Sequence, residues 1–214
     1  MYAFEYQKPK SLADAEARAA NEDAKILAGG MTLIPTLKQR LARPSELIDL
    51  GGIAELKGIR KEGNDVVIGA MTRHADVAAS DLVRSTIPAL ADLAGMIGDP
   101  AVRHRGTIGG SIANADPAAD YPAAVVGLGA TVITNQRQIP GDDFFTGLFE
   151  TALEPGEIIT AVRFPPAQKA AYMKFRNPAS RYAIVGVFVA QTAGGVRVAV
   201  TGAGPSVFRQ KEME

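Results

Sequence analysis

Arg105-Gly-Thr-Ile-Gly-Gly-Ser-Ile-Ala-Asn-Ala-Asp-Pro-Ala-Ala-Asp120 is the most informative stretch of the chain. Small residues alternate there with hydroxyl, amide and carboxylate groups, and few charges interrupt them. A segment of that kind can wrap a ligand with N–H groups at its start and hydrogen-bonding side chains further on. Eighty positions earlier, Ala28-Gly-Gly-Met-Thr32 repeats the theme of a glycine pair beside a small hydroxyl residue. Paired glycines let bare backbone approach a ligand, and their N–H groups suit anionic oxygens. Two such turns of matching composition suit one diphosphate gripped from both sides.

Neither stretch has a familiar nucleotide fingerprint. Gly-x-Gly-x-x-Gly is missing, and no Lys-Ser/Thr pair closes a P-loop. Each residue also has a plainer role available. The first glycine pair serves equally as a strand-to-helix turn. Asn114 and Asp116 could cap a helix starting at Pro117. Asp120 could be an exposed helical carboxylate, or an acceptor for ribose or ribityl hydroxyls. Lys174 and Tyr182, in apolar surroundings, read as snorkelling strand residues.

Composition narrows the function. Lys+Arg and Asp+Glu are equal at 23 each, so no basic field attracts nucleic acid. Cysteine is absent, which excludes a disulfide, a thiol nucleophile and a cysteine-ligated iron–sulfur cluster on this chain. With only His74 and His104, a histidine metal site is not expected either. Redox or transfer chemistry would then belong to an organic cofactor or a partner. No apolar stretch is long enough to cross a bilayer, the first residues lack a signal-peptide layout, and a cytoplasmic location is the expectation.

The periodicity predicts a small α/β lobe followed by a larger α+β lobe with mostly antiparallel strands. Ser11 caps a helix reaching Ala20, a strand covers 24–28, a helix begins at Leu33, and a strand covers 47–50. Residues 56–60 and 65–70 form a hairpin. Helices are predicted over 76–83, 88–97 and 117–128, and strands over 130–134, 158–164, 172–175 and 196–201. Tyr182–Gln191 is ambiguous and, at ten residues, is read as helix. Val207–Glu214 reads as a helix that has only begun.

Three segments together, 28–35, 105–120 and Leu153-Glu-Pro-Gly-Glu-Ile-Ile159, resemble the medium, FAD-binding subunit of molybdenum hydroxylases in order and spacing. That family includes aerobic carbon monoxide dehydrogenases and xanthine dehydrogenase-like enzymes. The resemblance implies an α+β fold of the vanillyl-alcohol-oxidase (PCMH) type with FAD held between two subdomains. Their expected bounds are 1–55 and 56–167, and 168–214 would begin a third, incomplete subdomain. It implies that Ile26, Leu27, Ala28, Gly29, Gly30, Met31, Thr32 and Leu33 surround the diphosphate with Thr107, Ile108, Gly109, Gly110 and Ser111. Ser111 stands where the family more often has asparagine. Asn114, Asp116 and Asp120 would follow the ribityl path, and Ile97, Ile159, Lys174 and Tyr182 would lie near the isoalloxazine. Lys174 would stabilise reduced flavin, and Tyr182 would control access to the ring.

The resemblance also implies the partners. A large subunit would hold molybdopterin, a small one the 2Fe–2S clusters, and the assembly would be a dimer of heterotrimers. Electrons would leave for NAD, a quinone or oxygen. Two competing readings are a stand-alone FAD oxidoreductase and a fold relative that has lost FAD.

Overall fold

The structure, a computed structural model, describes residues 1–214. Its first sheet is a three-stranded parallel one, ordered Glu5–Gln7, Glu46–Asp49, Ala24–Leu27. Leu47 and Ile48 point to opposite faces of the central strand and both are buried, as a strand covered on two sides requires. Ser11 opens the helix Leu12–Ala19, its side chain accepting from the Asp14 N–H at 3.2 Å. The expected strand–turn–helix–strand unit is present as Ala24–Leu27, Leu33–Lys38 and Glu46–Asp49. Beneath it Ala15, Ile48, Leu50, Ile53, Leu56, Met71 and Ile158 form a small core of their own.

The second sheet has five antiparallel strands, ordered Ile59–Glu62, Asp65–Gly69, Ile159–Phe164, Thr131–Thr134, Gln138–Pro140. The third has four, ordered Lys169–Arg176, Ala183–Thr192, Gly195–Thr201, Phe208–Arg209, also antiparallel. One continuous core joins the two sheets, from Val66, Ile68 and Val132 to Tyr172 and Phe188. The helix Tyr121–Gly127 lies within it, every residue buried, which suits a sequence apolar all round. Gly127 meets Phe188 there; a Cβ would come within 2.9 Å of that ring.

Several sequence expectations change. Residues 182–191 are not helical: Ala183–Thr192 is the longest strand of the third sheet. The period-two burial of Gly186, Phe188 and Ala190, with Val187 and Val189 between them, is that of a strand, and the β-branched run Ile184, Val185, Val187 and Val189 is the signal that length alone obscured. The region 76–83 divides into His74–Ala79 and Asp81–Thr86, because Ser80 leaves helical geometry and caps the second helix through the Val83 N–H. The helix expected from Pro117 starts four residues later, since the Asp116 side chain accepts from the Ala118 N–H at 2.9 Å and makes a turn first. Residues 207–214 do not begin an α-helix. Phe208–Arg209 pairs with Ala199–Val200, and a short 3-10 turn at Lys211–Met213 follows.

Helix Pro88–Gly95 ends in a glycine that the fold does not need. A Cβ on Gly95 would make ordinary contact, 4.0 Å from the Ala78 Cβ. Gly95→Ala is expected to raise stability by about 0.5 kcal/mol by restricting the unfolded chain. Urea unfolding checks this, and a loss of stability would show a strain the backbone does not reveal.

Candidate functional site

A cavity of about 990 Å³ lies among the three sheets, at the upper end of the roughly 300–1,000 Å³ of ordinary ligand sites. Its wall draws on both glycine segments. Ile26, Ala28, Gly29, Gly30, Met31, Thr32 and Leu33 line it from the first sheet and its turn. Thr107, Gly109, Gly110, Ser111, Asn114, Asp116 and Asp120 line it from the second segment, and Ile97, Ile159 and Tyr182 line it as well. Three expected residues stand elsewhere. Leu27 and Lys174 do not reach the cavity wall, and Ile108 is fully buried in the main core.

The two glycine segments touch. A Cβ on Gly29 would lie 2.3 Å from the Arg105 carbonyl oxygen and 2.8 Å from the Gly106 Cα. One on Gly110 would lie 3.1 Å from the Ala28 Cβ, and one on Gly109 would meet Ala70 at 2.6 Å. Gly29 and Gly109 are therefore demanded by backbone packing inside the protein. Gly30 answers to a different need, a turn at φ +77°. The second pair is not a loop either. It forms the first turn of the helix Ile108–Asn114, with the Thr107 hydroxyl accepting from the Gly110 N–H at 3.2 Å. Along the first segment, the N–H groups of Gly29, Gly30, Met31 and Thr32 find no acceptor in the chain. Successive free donors on a glycine turn are the donor set for anionic oxygens.

At another part of the wall Asp120 is buried between two partners. Tyr172 donates to its Oδ1 at 2.5 Å and Lys174 Nζ to its Oδ2 at 2.9 Å. The Lys174 and Asp120 side chains are only 2% and 5% exposed. Burial raises the Asp120 carboxyl above the usual range, against the opposing pull of Lys174 and Tyr172. Asp120 thus stands between the Lys174 ammonium and the cavity, and it is not the exposed carboxylate of the plainer reading.

Lys174 Nζ also donates to the Met96 carbonyl at 3.2 Å, and Arg103 donates to those of Ile97 and Gly98 at 2.9 and 3.1 Å. Three successive carbonyls beside the cavity are held by cations. His104 is tied at its own helix, Nδ1 lying 2.7 Å from the Pro100 carbonyl oxygen. The hairpin tip supplies Ser180, Arg181 and Tyr182, the last 42% exposed.

Sequence reading missed part of the wall. Leu153–Ile158, the loop leading into the expected Ile159, lines the cavity without a break. Glu157 anchors it, receiving hydrogen bonds from Thr134 Oγ1 at 2.7 Å, from Arg137 Nε and Nη2 at 3.0 Å, and from the Glu154 N–H at 2.8 Å. The pattern Glu-Pro-Gly-Glu was visible, but nothing local shows that its second acid turns inward. Arg137 is the first cause of a Glu157 carboxyl held down to about 2. A folded-state value below the unfolded 4.5 means that folding binds fewer protons across that interval, so stability falls as pH drops through it. Glu157→Gln should lower the unfolding midpoint at pH 7, and its deficit should narrow as pH falls from 4.5 toward 2. A constant deficit across that range would refute the assignment. His74 was missed as well; it is buried and lines the cavity. Burial, then the Arg103 charge, pushes its imidazole down to about 4, so it is neutral at pH 7.

A mixed sheet-and-helix chain with such a cavity, walled by paired glycine segments, defines a cofactor-binding protein. Residues 2–167 match the family model described as the FAD binding domain in molybdopterin dehydrogenase, and the chain belongs to that family. It is 40% identical to the carbon monoxide dehydrogenase medium chain of Hydrogenophaga pseudoflava, over 97% of this chain and 77% of the relative. To the corresponding chain of Afipia carboxidovorans it is 43% identical, over 90% and 70%. Among solved structures, reconstituted CO dehydrogenase from Oligotropha carboxidovorans superposes with a TM-score of 0.93 at 39% identity, over 99% of this chain and 79% of that one. The chain is thereby an oxidoreductase subunit with FAD as its cofactor. No helix is long and apolar enough to cross a membrane.

Proposed function

We propose that this chain is the FAD-holding, electron-transferring subunit of a molybdenum hydroxylase. A large partner would carry molybdopterin and the substrate site, and a small partner the 2Fe–2S clusters that deliver electrons here, in a dimer of heterotrimers. The external acceptor would be NAD, a quinone or oxygen. The PCMH-type subdomains at 1–55, 56–167 and 168–214 correspond in this reading to the three sheets.

One observation carries the proposal: the run of four unpaired N–H groups at Gly29–Thr32, opening on a large cavity and braced by the second glycine segment. Those groups, with the Thr107 and Ser111 hydroxyls, would take the diphosphate; Asn114, Asp116 and Asp120 would take the ribityl hydroxyls. Ile97, Ile159 and Tyr182 would flank the isoalloxazine, Tyr182 governing access from solvent. Lys174 would act on the ring through Asp120, because the two are ion-paired. Bound FAD supplies the redox chemistry, accepting and releasing electrons, and the chain orients it and sets its electrostatic surroundings.

Reconstitution tests the reading. The chain incubated with FAD and desalted should retain about one flavin per chain by absorbance, and should not oxidise NADH or reduce a dye with substrate unless its partners are added. Turnover by the isolated chain would favour a stand-alone oxidoreductase. No flavin, even at high FAD concentration, would favour a relative that has lost it.

A further inference from the structure

Two side-chain polar atoms in the protein are enclosed without a hydrogen-bond partner, His74 Nδ1 and the Tyr121 hydroxyl. They belong to neighbouring rings, whose centroids lie 5.3 Å apart at a 50° tilt. Enclosing a polar group without a partner costs its full desolvation. Their proximity suggests a common purpose. His74 lines the cavity, whereas Tyr121 stands behind it on the all-buried helix Tyr121–Gly127.

The backbone seats this histidine against the second glycine segment. Its N–H donates to the Gly106 carbonyl at 3.0 Å, and Arg73 and Thr107 form an isolated bridge beside it. A Cβ on Gly106 would lie 2.5 Å from His74 Nε2. The bare Cα at 106 therefore keeps room for that nitrogen at the cavity wall. A neutral imidazole has one donor nitrogen and one acceptor nitrogen, and the partner of one decides the role of the other. The Tyr121 O–H is a donor, and it is the one other enclosed side-chain polar atom without a partner.

We infer that His74 is a hydrogen-bond donor to bound FAD, its Nδ1 reached by the Tyr121 hydroxyl through one enclosed water and its Nε2 carrying the proton into the cavity. The inference rests on the FAD reading above and adds to it a contact that neither glycine segment supplies. Tyr121 is on this account a positioning residue, since it acts only through the imidazole.

The chain has only two histidines, so an imidazole nitrogen spectrum of the 15N-labelled protein contains two ring systems, separated by His104→Gln. His74 is expected in the Nε2–H form, with its Nε2 signal moving on FAD addition. His74→Leu should weaken FAD binding about 3–10-fold, while His74→Gln, which keeps an N–H near the Nε2 position, should stay within about twofold of wild type. Tyr121→Phe should loosen the tautomer preference and weaken FAD binding without lowering the unfolding midpoint. An Nδ1–H tautomer, an Nε2 signal unmoved in a sample that holds flavin, or wild-type affinity in His74→Leu overturns the inference. A wild-type sample that takes up no flavin instead overturns the FAD reading beneath it, so the two failures are told apart.

Discussion

Replacing Gly29 by valine is expected to abolish FAD retention and to cost about 3 kcal/mol or more of stability, the upper range for overpacking. The new Cβ would sit 2.3 Å from the Arg105 carbonyl oxygen, and backbone on both sides has no side chain that could swing away. The Gly29–Thr32 turn and the 105–111 segment must therefore separate, which displaces the unpaired N–H groups from their place in the cavity wall. Gly30→Ala is a graded comparison. Its φ of +77° strains any L-residue, by about 1–2 kcal/mol, but its nearest contact is the flexible Ile34 side chain at 2.9 Å. Flavin absorbance after desalting and urea unfolding measure both effects. If Gly29→Val keeps its flavin and its unfolding midpoint, the contact between the two segments is not what shapes the site.

Lys174→Met is expected to have an effect of comparable size. It removes the cation facing Asp120 at 2.9 Å and leaves a carboxylate 5% exposed with Tyr172 as its remaining side-chain donor. Breaking a buried pair from one side costs about 3–5 kcal/mol, mostly the price of the stranded charge. The double variant Asp120→Asn/Lys174→Met should recover much of that loss, because the stranded charge is gone. The pH dependence has a definite sign. The Asp120 carboxyl is already raised by burial, and losing Lys174 raises it further. A folded state that holds the proton more tightly than the unfolded one gains stability as pH falls toward the unfolded value. The Lys174→Met deficit should therefore shrink between pH 7 and pH 5 in urea titrations. A deficit that grows on acidification would mean that Asp120 is not the group left uncompensated. In the reconstituted protein the same variant should change the flavin's reduction potential, since the electrostatics of the Asp120 wall change with it.

Much of this protein was legible in order. The parallel unit of 24–49, the hairpin of 59–69 and most antiparallel strands followed from periodicity and caps, because those signals reside in neighbouring residues. Seventeen of the expected site residues line one cavity. Residues 183–192 misled because a ten-residue apolar run suits either a buried helix or a strand with two neighbours, and only the register with 169–176 and 195–201 selects the strand.

The glycine pairs divide the same way. By itself the sequence determined that two small, hydroxyl-flanked segments exist, that cysteine chemistry is absent, and that net charge is balanced. Which need each glycine serves was a tertiary decision. Gly29 and Gly109 yield their side chains to other backbone, Gly30 to its own φ, and the N–H groups of 29–32 are left without an acceptor in a turn that lines the cavity. Likewise Lys174 reads as a lone cation until folding brings Asp120, fifty-four positions away, onto its ammonium. Spacing along a chain specifies local geometry, but close approach between distant segments depends on how the sheets pack, and that arises only when the whole core forms.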